Sequence, residues 1–248
     1  MQGESSEAGR MGAPIHQLRA DHRTGVGDEA SLDALTDRQR AVLDAVLDLI
    51  VEGRRPLSMI AVARAASCSK ETLYRWFGDR AGLLTATVRW QAAKVRGVKL
   101  PEGSIDEAYL LAELKRFAVD WLTVISGQTS VALNRLAIAE AGSDALNLGE
   151  IVLRNGPTAM ARRLEPLLAT ARADGLVTYE SEGEAFTTFF GLVVGDVQIR
   201  LLLGEAIGLD APAIDRAASN AATRFLALYG RKAGAGAPIP PQKGGSST

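Results

Sequence analysis

The chain has 248 residues, 47% of them hydrophobic, a formal net charge of −1, a single cysteine and two histidines. That content supplies a sizeable buried core and excludes disorder throughout; a lone Cys68 excludes an internal disulfide and a multi-thiolate metal site, and it fits a reducing compartment. His16 and His22 both fall in a polar N-terminal stretch, which leaves triad or zinc chemistry almost without material.

The charge is unevenly spread. Residues 36–95 carry 10 basic and 6 acidic side chains, whereas residues 1–35 carry 3 and 6 and residues 96–248 carry 15 and 17. A short cationic block in an otherwise acidic chain points to a local anionic partner rather than a general nucleic-acid coat. No apolar run approaches the roughly 20 residues needed to cross a bilayer, and the N-terminus shows no charged and then apolar leader. The expectation is a soluble, cytoplasmic protein with no membrane partner.

Residues 1–35 mix Gly, Ser, Glu and Arg without a hydrophobic period, and residues 233–248 form a Gly/Pro/Ser tail; both are expected to be disordered. Between them the apolar residues recur at helical spacing with no alternating strand pattern, which predicts an all-α fold. The first helix begins after Thr36 and runs to about Glu52, before Gly53 and Pro56. Val42, Val46, Leu49 and Ile50 line its apolar side, opposite Arg40, Asp44, Asp48 and Glu52. A second, short helix starts at Ser58 and a third at Ser69, with only Ser67 and Cys68 between them, so the connection is a tight turn. A fourth is capped by Asp79 and continues toward Lys94, and Gly97 and Pro101 mark a boundary. Further helices are expected at about 105–126, 130–141, 145–173 with a break near Gly156 and Pro157, 182–204 and 212–229. The chain therefore divides into a helix-turn-helix unit over 36–95 and a helical unit over 96–232.

Three short helices with a tight turn before the third are how a small domain offers one rigid helix to the major groove. In SKETLYRWF, Leu73 and Phe77 share the inner side, which leaves Lys70, Glu71, Tyr74 and Arg75 outside. Lysine and arginine donate to guanine edges or phosphates, and a tyrosine hydroxyl donates to phosphate. Ser58, Ser69 and Asp79 mark helix N-termini, where free N–H groups and the helix dipole favour phosphate, and Arg80 can add a charged clamp. Glu71 has two readings, an acceptor for a cytosine amine or an exposed helix former. Trp76 also has two, a backbone contact or packing against the first helix.

Residues 58–84, SMIAVARAASCSKETLYRWFGDRAGLL, resemble the DNA-binding signature of the tetracycline-repressor (TetR) family. Val62-Ala63 stands for its Ile-Ala pair, Ser69 for its cap serine, Thr72-Leu73-Tyr74 for its T-L-Y core, Phe77 for its aromatic anchor and Arg80 for its phosphate-holding lysine. The resemblance implies recognition-helix contacts from Lys70, Thr72, Tyr74 and Trp76, with Ser58 and Arg80 on phosphates. Two residues depart from the pattern, Ser67 and Cys68, where the family has Gly-Val. If position 67 is left-handed, serine carries a strain of about 1 kcal/mol that glycine avoids. Cys68 is read as filling valine's small apolar niche, with a redox-sensing thiol as the alternative.

More loosely, RLAIAEAG, GPTAMARRLEPLLATARADGLV and FFGLVVGDVQIRLLLG resemble the AcrR-like ligand and dimer domain of that family. This implies a homodimer through residues 182–204 and 212–229, a small-molecule effector, and repression rather than activation. Candidate pocket residues are Phe117, Trp121, Asn134, Met160, Phe189 and Phe190, with Phe186 beside them. Asn134, Arg135, Glu140, Asp196, Gln198 and Arg200 lie in apolar helices and need partners, with Asp196 and Arg200 spaced for an ion pair. No nucleophile elbow, P-loop, dinucleotide fingerprint or metal-ligand cluster is present, so neither enzyme chemistry nor a cofactor is expected. A helical module that binds an acidic protein is the other alternative.

Overall fold

The computed structural model describes residues 34–53, 57–141 and 148–231. The expectations for residues 1–33, with His16 and His22, for Pro56, for a helix start at 145 and for the tail lie outside the described residues. Among the described residues there are eleven α-helices and one isolated bridge, Val177 to Gly230, so the fold is all-α.

Four side-chain caps set the first four helices in register. Helix α1 (Asp37–Val51) opens on a capping box: the Thr36 hydroxyl accepts the Gln39 N–H at 3.2 Å, and the Gln39 side chain accepts the Thr36 N–H at 2.9 Å. Helix α2 (Met59–Ala65) is capped by Ser58, α3 (Lys70–Phe77) by Ser69 and α4 (Arg80–Ala92) by Asp79, as the sequence predicts. Each cap satisfies an N–H that would otherwise be orphaned, a contribution of about 1 kcal/mol.

The remaining helices are α5 (Glu107–Ser126), α6 (Gln128–Ala139), α7 (Leu148–Asn155), α8 (Pro157–Ala173), α9 (Glu182–Val194), α10 (Val197–Leu202) and α11 (Ala211–Tyr229). The expected interruption falls at Gly156, with Pro157 starting α8, where its missing N–H costs nothing. The continuous helix expected over 182–204 is two helices instead. Gly195 adopts φ 48, a left-handed conformation that ends α9, and Asp196 stands at the N-cap of α10. Periodicity alone does not show such a break, because the apolar residues on both sides keep helical spacing.

Two apolar clusters form. One joins α1, α2, α3 and the first half of α4 through Val42, Leu43, Val46, Val62, Leu73 and Leu84, and it also takes in Leu133, Leu136 and Ala137 of α6 and Leu148 of α7. The other joins α5, α8, α9 and α11 through Leu114, Phe117, Leu164, Phe189 and Phe225. Helix α4 belongs to both, with Leu83, Leu84 and Val88 in the first and Ala92 in the second. Its far end is anchored by Arg163 of α8, which donates to the carbonyls of Ala92 at 2.6 Å and Val95 at 3.1 Å. Helix α1 packs on α2, α4 and α6, and α11 packs on α5 and α9.

Candidate nucleic-acid interface

The turn between α2 and α3 fixes where α3 points. Its Ser67 has φ 49, so serine occupies a left-handed position that favours glycine, as the sequence anticipates. Arg38 of α1 holds the turn from below by donating to the carbonyls of Ala66 at 2.9 Å and Ser67 at 2.7 Å. The Cys68 N–H closes it on the Ala63 carbonyl at 2.9 Å, and Cys68 itself packs, half-buried, against the first cluster, where valine's niche was expected. Arg38 was not visible as a turn residue from sequence, since its partners lie 28 and 29 positions away.

Beyond the turn, the Ser69 hydroxyl accepts the Thr72 N–H at 3.1 Å and shares a 3.1 Å hydrogen bond with the Thr72 hydroxyl. Ser69 and Thr72 therefore build the start of α3 together. Leu73 is fully buried, while Lys70, Glu71, Tyr74 and Arg75 are exposed, Tyr74 at 51%. Such a large aromatic left half in water beside two cations is costly in isolation and is suited to a polar backbone that accepts both ring and hydroxyl. The Glu71 carboxyl is held below the ordinary carboxylate range by its own backbone N–H and then by the Ser69 hydroxyl. That is the expected effect of a helix N-terminus on an acid in its first turn. Trp76 is half-buried, lies edge-on to Phe77 at 6.3 Å between ring centres and packs against the first cluster.

The corner into α4 depends on two glycines. Gly78 has φ 77, and a Cβ on Gly82 would lie 2.0 Å from the Phe77 carbonyl oxygen. No side chain fits there, and sequence reading had not singled out Gly82. Ser58 caps α2 by accepting the Ala61 N–H at 3.2 Å. Arg80 does not reach outward as an unengaged clamp. Its Nε donates to the Leu57 carbonyl at 2.9 Å, and an Nη lies 3.4 Å from the Glu140 carboxylate. Trp90 of α4 donates to Asp44 of α1 at 2.8 Å and ties these two helices of the four-helix head, α1–α4, together.

Five of the candidate pocket residues belong to or pack on the second cluster. Phe117, Trp121, Met160 and Phe189 lie in the second cluster, and Phe190 and Phe186 pack half-buried against it. Trp121 stands at the centre of the rings: Phe117 meets it edge-on at 5.8 Å, Phe186 stacks at 5.8 Å and Phe190 lies at 5.3 Å. Asn134 is on α6, where its amide donates to the Ser130 carbonyl at 2.8 Å in its own helix. Arg135, Glu140, Asp196 and Arg200 find partners within the protein. Arg135 donates to the Leu201 and Leu202 carbonyls, and Arg200 pairs with Asp196 at 3.6 Å and with Glu205. Among the described residues, no helix is long and apolar enough to cross a membrane.

Residues 112–231 match the family described as AefR-like transcriptional repressor, C-terminal domain. No curated protein matches the sequence. Among solved structures, a TetR transcriptional regulator from Agrobacterium tumefaciens is 41% identical, over 79% of this chain and 96% of that one, with a TM-score of 0.69. The flavonoid-responsive regulator FrrA is 28% identical over 79% and 98%, with a TM-score of 0.60. A TetR-family regulator from Mesorhizobium loti shares the fold at 21% identity over 78% and 97%, with a TM-score of 0.62. With a capped third helix, an exposed cationic face and these relatives, the chain belongs to the TetR family of transcriptional regulators, ligand-responsive DNA-binding proteins rather than enzymes.

Proposed function

We propose that the protein is a homodimeric repressor that reads a two-fold symmetric operator through α3 and releases it when a small molecule occupies the C-terminal helices. The observation that carries this reading is α3 itself, with Leu73 fully buried and Lys70, Tyr74 and Arg75 exposed together. Lys70, Tyr74 and Arg75 contact bases or phosphates, and Ser58 and Ser69 present the N-termini of α2 and α3 to the backbone. Thr72 and Trp76 support the helix from beneath its reading face.

Two reading heads must stand about 34 Å apart to enter successive major grooves, and an isologous dimer provides that spacing. Helices α9 and α11 fit the interface. They pack on each other and still expose Thr187, Gly191, Thr223 and Leu228. The effector reading rests on the rings around Trp121, of which Phe186 and Phe190 are incompletely buried. Aromatic rings with an open side favour a planar aromatic ligand, and a relative at 28% identity is a flavonoid-responsive regulator. The ligand acts by binding one dimer geometry better than the other.

Selection of bound sequences from random duplex DNA tests the reading directly. A two-fold symmetric site with half-sites about 10 base pairs apart, or a multiple of that, is expected. Recovery of no preferred sequence would remove it. Flavone is a first effector probe, expected to quench tryptophan fluorescence and weaken operator binding in the same concentration range.

A further inference from the structure

Arg80 stands where the head meets α6. It is the first residue of α4, behind the Asp79 cap. Its Nε is held by the Leu57 carbonyl, one residue before the serine that caps α2. The guanidinium therefore sits at the start of α4 and beside the residue that precedes the Ser58 cap of α2, a cation placed to meet a phosphate that reaches this corner. Its charge is nonetheless shared with a carboxylate from sixty positions away, that of Glu140, the C-cap residue of α6. The pair is not sealed: the side chain of Arg80 is 32% exposed and that of Glu140 24%. At 3.4 Å and open to water, it is the kind of contact that a better anion displaces.

We propose that Glu140 sets the protein's affinity for DNA, because its carboxylate competes with a backbone phosphate for Arg80. With Glu140 in place, a phosphate arriving at α2 and α4 must share or take the guanidinium. With α6 displaced, the terms of that competition change. Helix α6 is suited to carry such a displacement, because it contributes Leu133 and Leu136 to the first cluster while Arg135 ties it to the end of α10. The inference rests on the proposed reading of DNA through α3 and adds that the start of α4 lies along the same backbone.

The test uses the full chain and the duplex selected by the wild type, with affinity measured against salt for Glu140→Gln, Arg80→Ala and the double variant. Glu140→Gln is expected to bind about 3- to 10-fold more tightly near 0.1 M salt, and its log–log salt slope to steepen by up to about 0.9, the value of one added phosphate contact. Arg80→Ala is expected to bind more weakly, and the gain from Glu140→Gln to vanish when Arg80 is absent. An unchanged or weaker affinity for Glu140→Gln, or a gain that persists without Arg80, overturns the proposal and leaves the pair as a tether between elements. Glu140→Asp, which keeps the charge and shortens the reach, is expected to fall between wild type and glutamine, and it serves if the glutamine variant does not fold. Lys70→Ala is run in parallel. If that variant retains full affinity, it is the placement of the head on DNA that fails, not the Arg80–Glu140 competition.

Discussion

The two apolar clusters leave different things outside. Around α1–α4, buried leucine and valine form a narrow stripe, and the outer sides carry Lys70, Arg75 and Tyr74. Around α5, α8, α9 and α11, rings pack on rings, with Phe189 edge-on to Phe225 at 5.4 Å and Phe225 against Tyr229 at 5.0 Å. In the head, geometry is set over three to five residues by caps and one turn. In the larger cluster it is set by contacts between distant segments. The head can therefore be broken by very small changes at a corner, whereas the larger cluster answers mainly to lost volume.

The largest effect is expected where volume is lost. Phe117 is fully buried at the centre of the second cluster, so Phe117→Ala should cost about 3–5 kcal/mol, read as a fall in the unfolding midpoint. Next comes the corner of the head. Gly82→Ala adds only a methyl, yet it drives a Cβ toward the Phe77 carbonyl and should cost about 1–3 kcal/mol by chemical denaturation while weakening DNA binding. Equal stability for that variant and wild type would show that the corner is looser than the backbone contact implies. Ser67→Gly should act in the opposite direction and stabilise by about 1 kcal/mol, because φ 49 suits glycine and strains serine.

The smallest effects are titrations, and they take opposite signs in the two regions. Glu71 has its carboxyl pKa depressed, so its contribution to stability is present above the ordinary glutamate range and is lost as pH falls through the folded value. Tyr179 is 5% exposed, with the Arg172 guanidinium 4.9 Å from its ring centre, and burial raises its pKa. Its contribution is present below the ordinary tyrosine value and is lost as pH rises through the folded one. Absorbance titration of the tyrosines should show Tyr179 ionising above the ordinary tyrosine range; ionisation within that range would contradict its burial.

The same contrast explains what was legible beforehand. Thr36, Ser58, Ser69 and Asp79 announce their helices because a cap acts on N–H groups only a few residues away, so all four could be placed from the sequence. The strain at Ser67 was readable for the same local reason. Arg38 on the turn, Trp90 on Asp44 and Arg80 on Glu140 were not, because each joins residues far apart in the chain. Gly195 escaped because a single left-handed glycine ends a helix without disturbing the hydrophobic period on either side. The hydrogen bond that the Asn134 amide donates to the Ser130 carbonyl one turn back is local and could have been anticipated from the i−4 spacing.

The central claim is that the outer face of α3 reads DNA, and fluorescence anisotropy on the selected duplex tests it most directly. Lys70→Ala and Tyr74→Ala are each expected to lose at least about ten-fold in affinity, with unfolding midpoint and oligomeric state unchanged, since both side chains are exposed. Wild-type affinity in both variants would contradict the account.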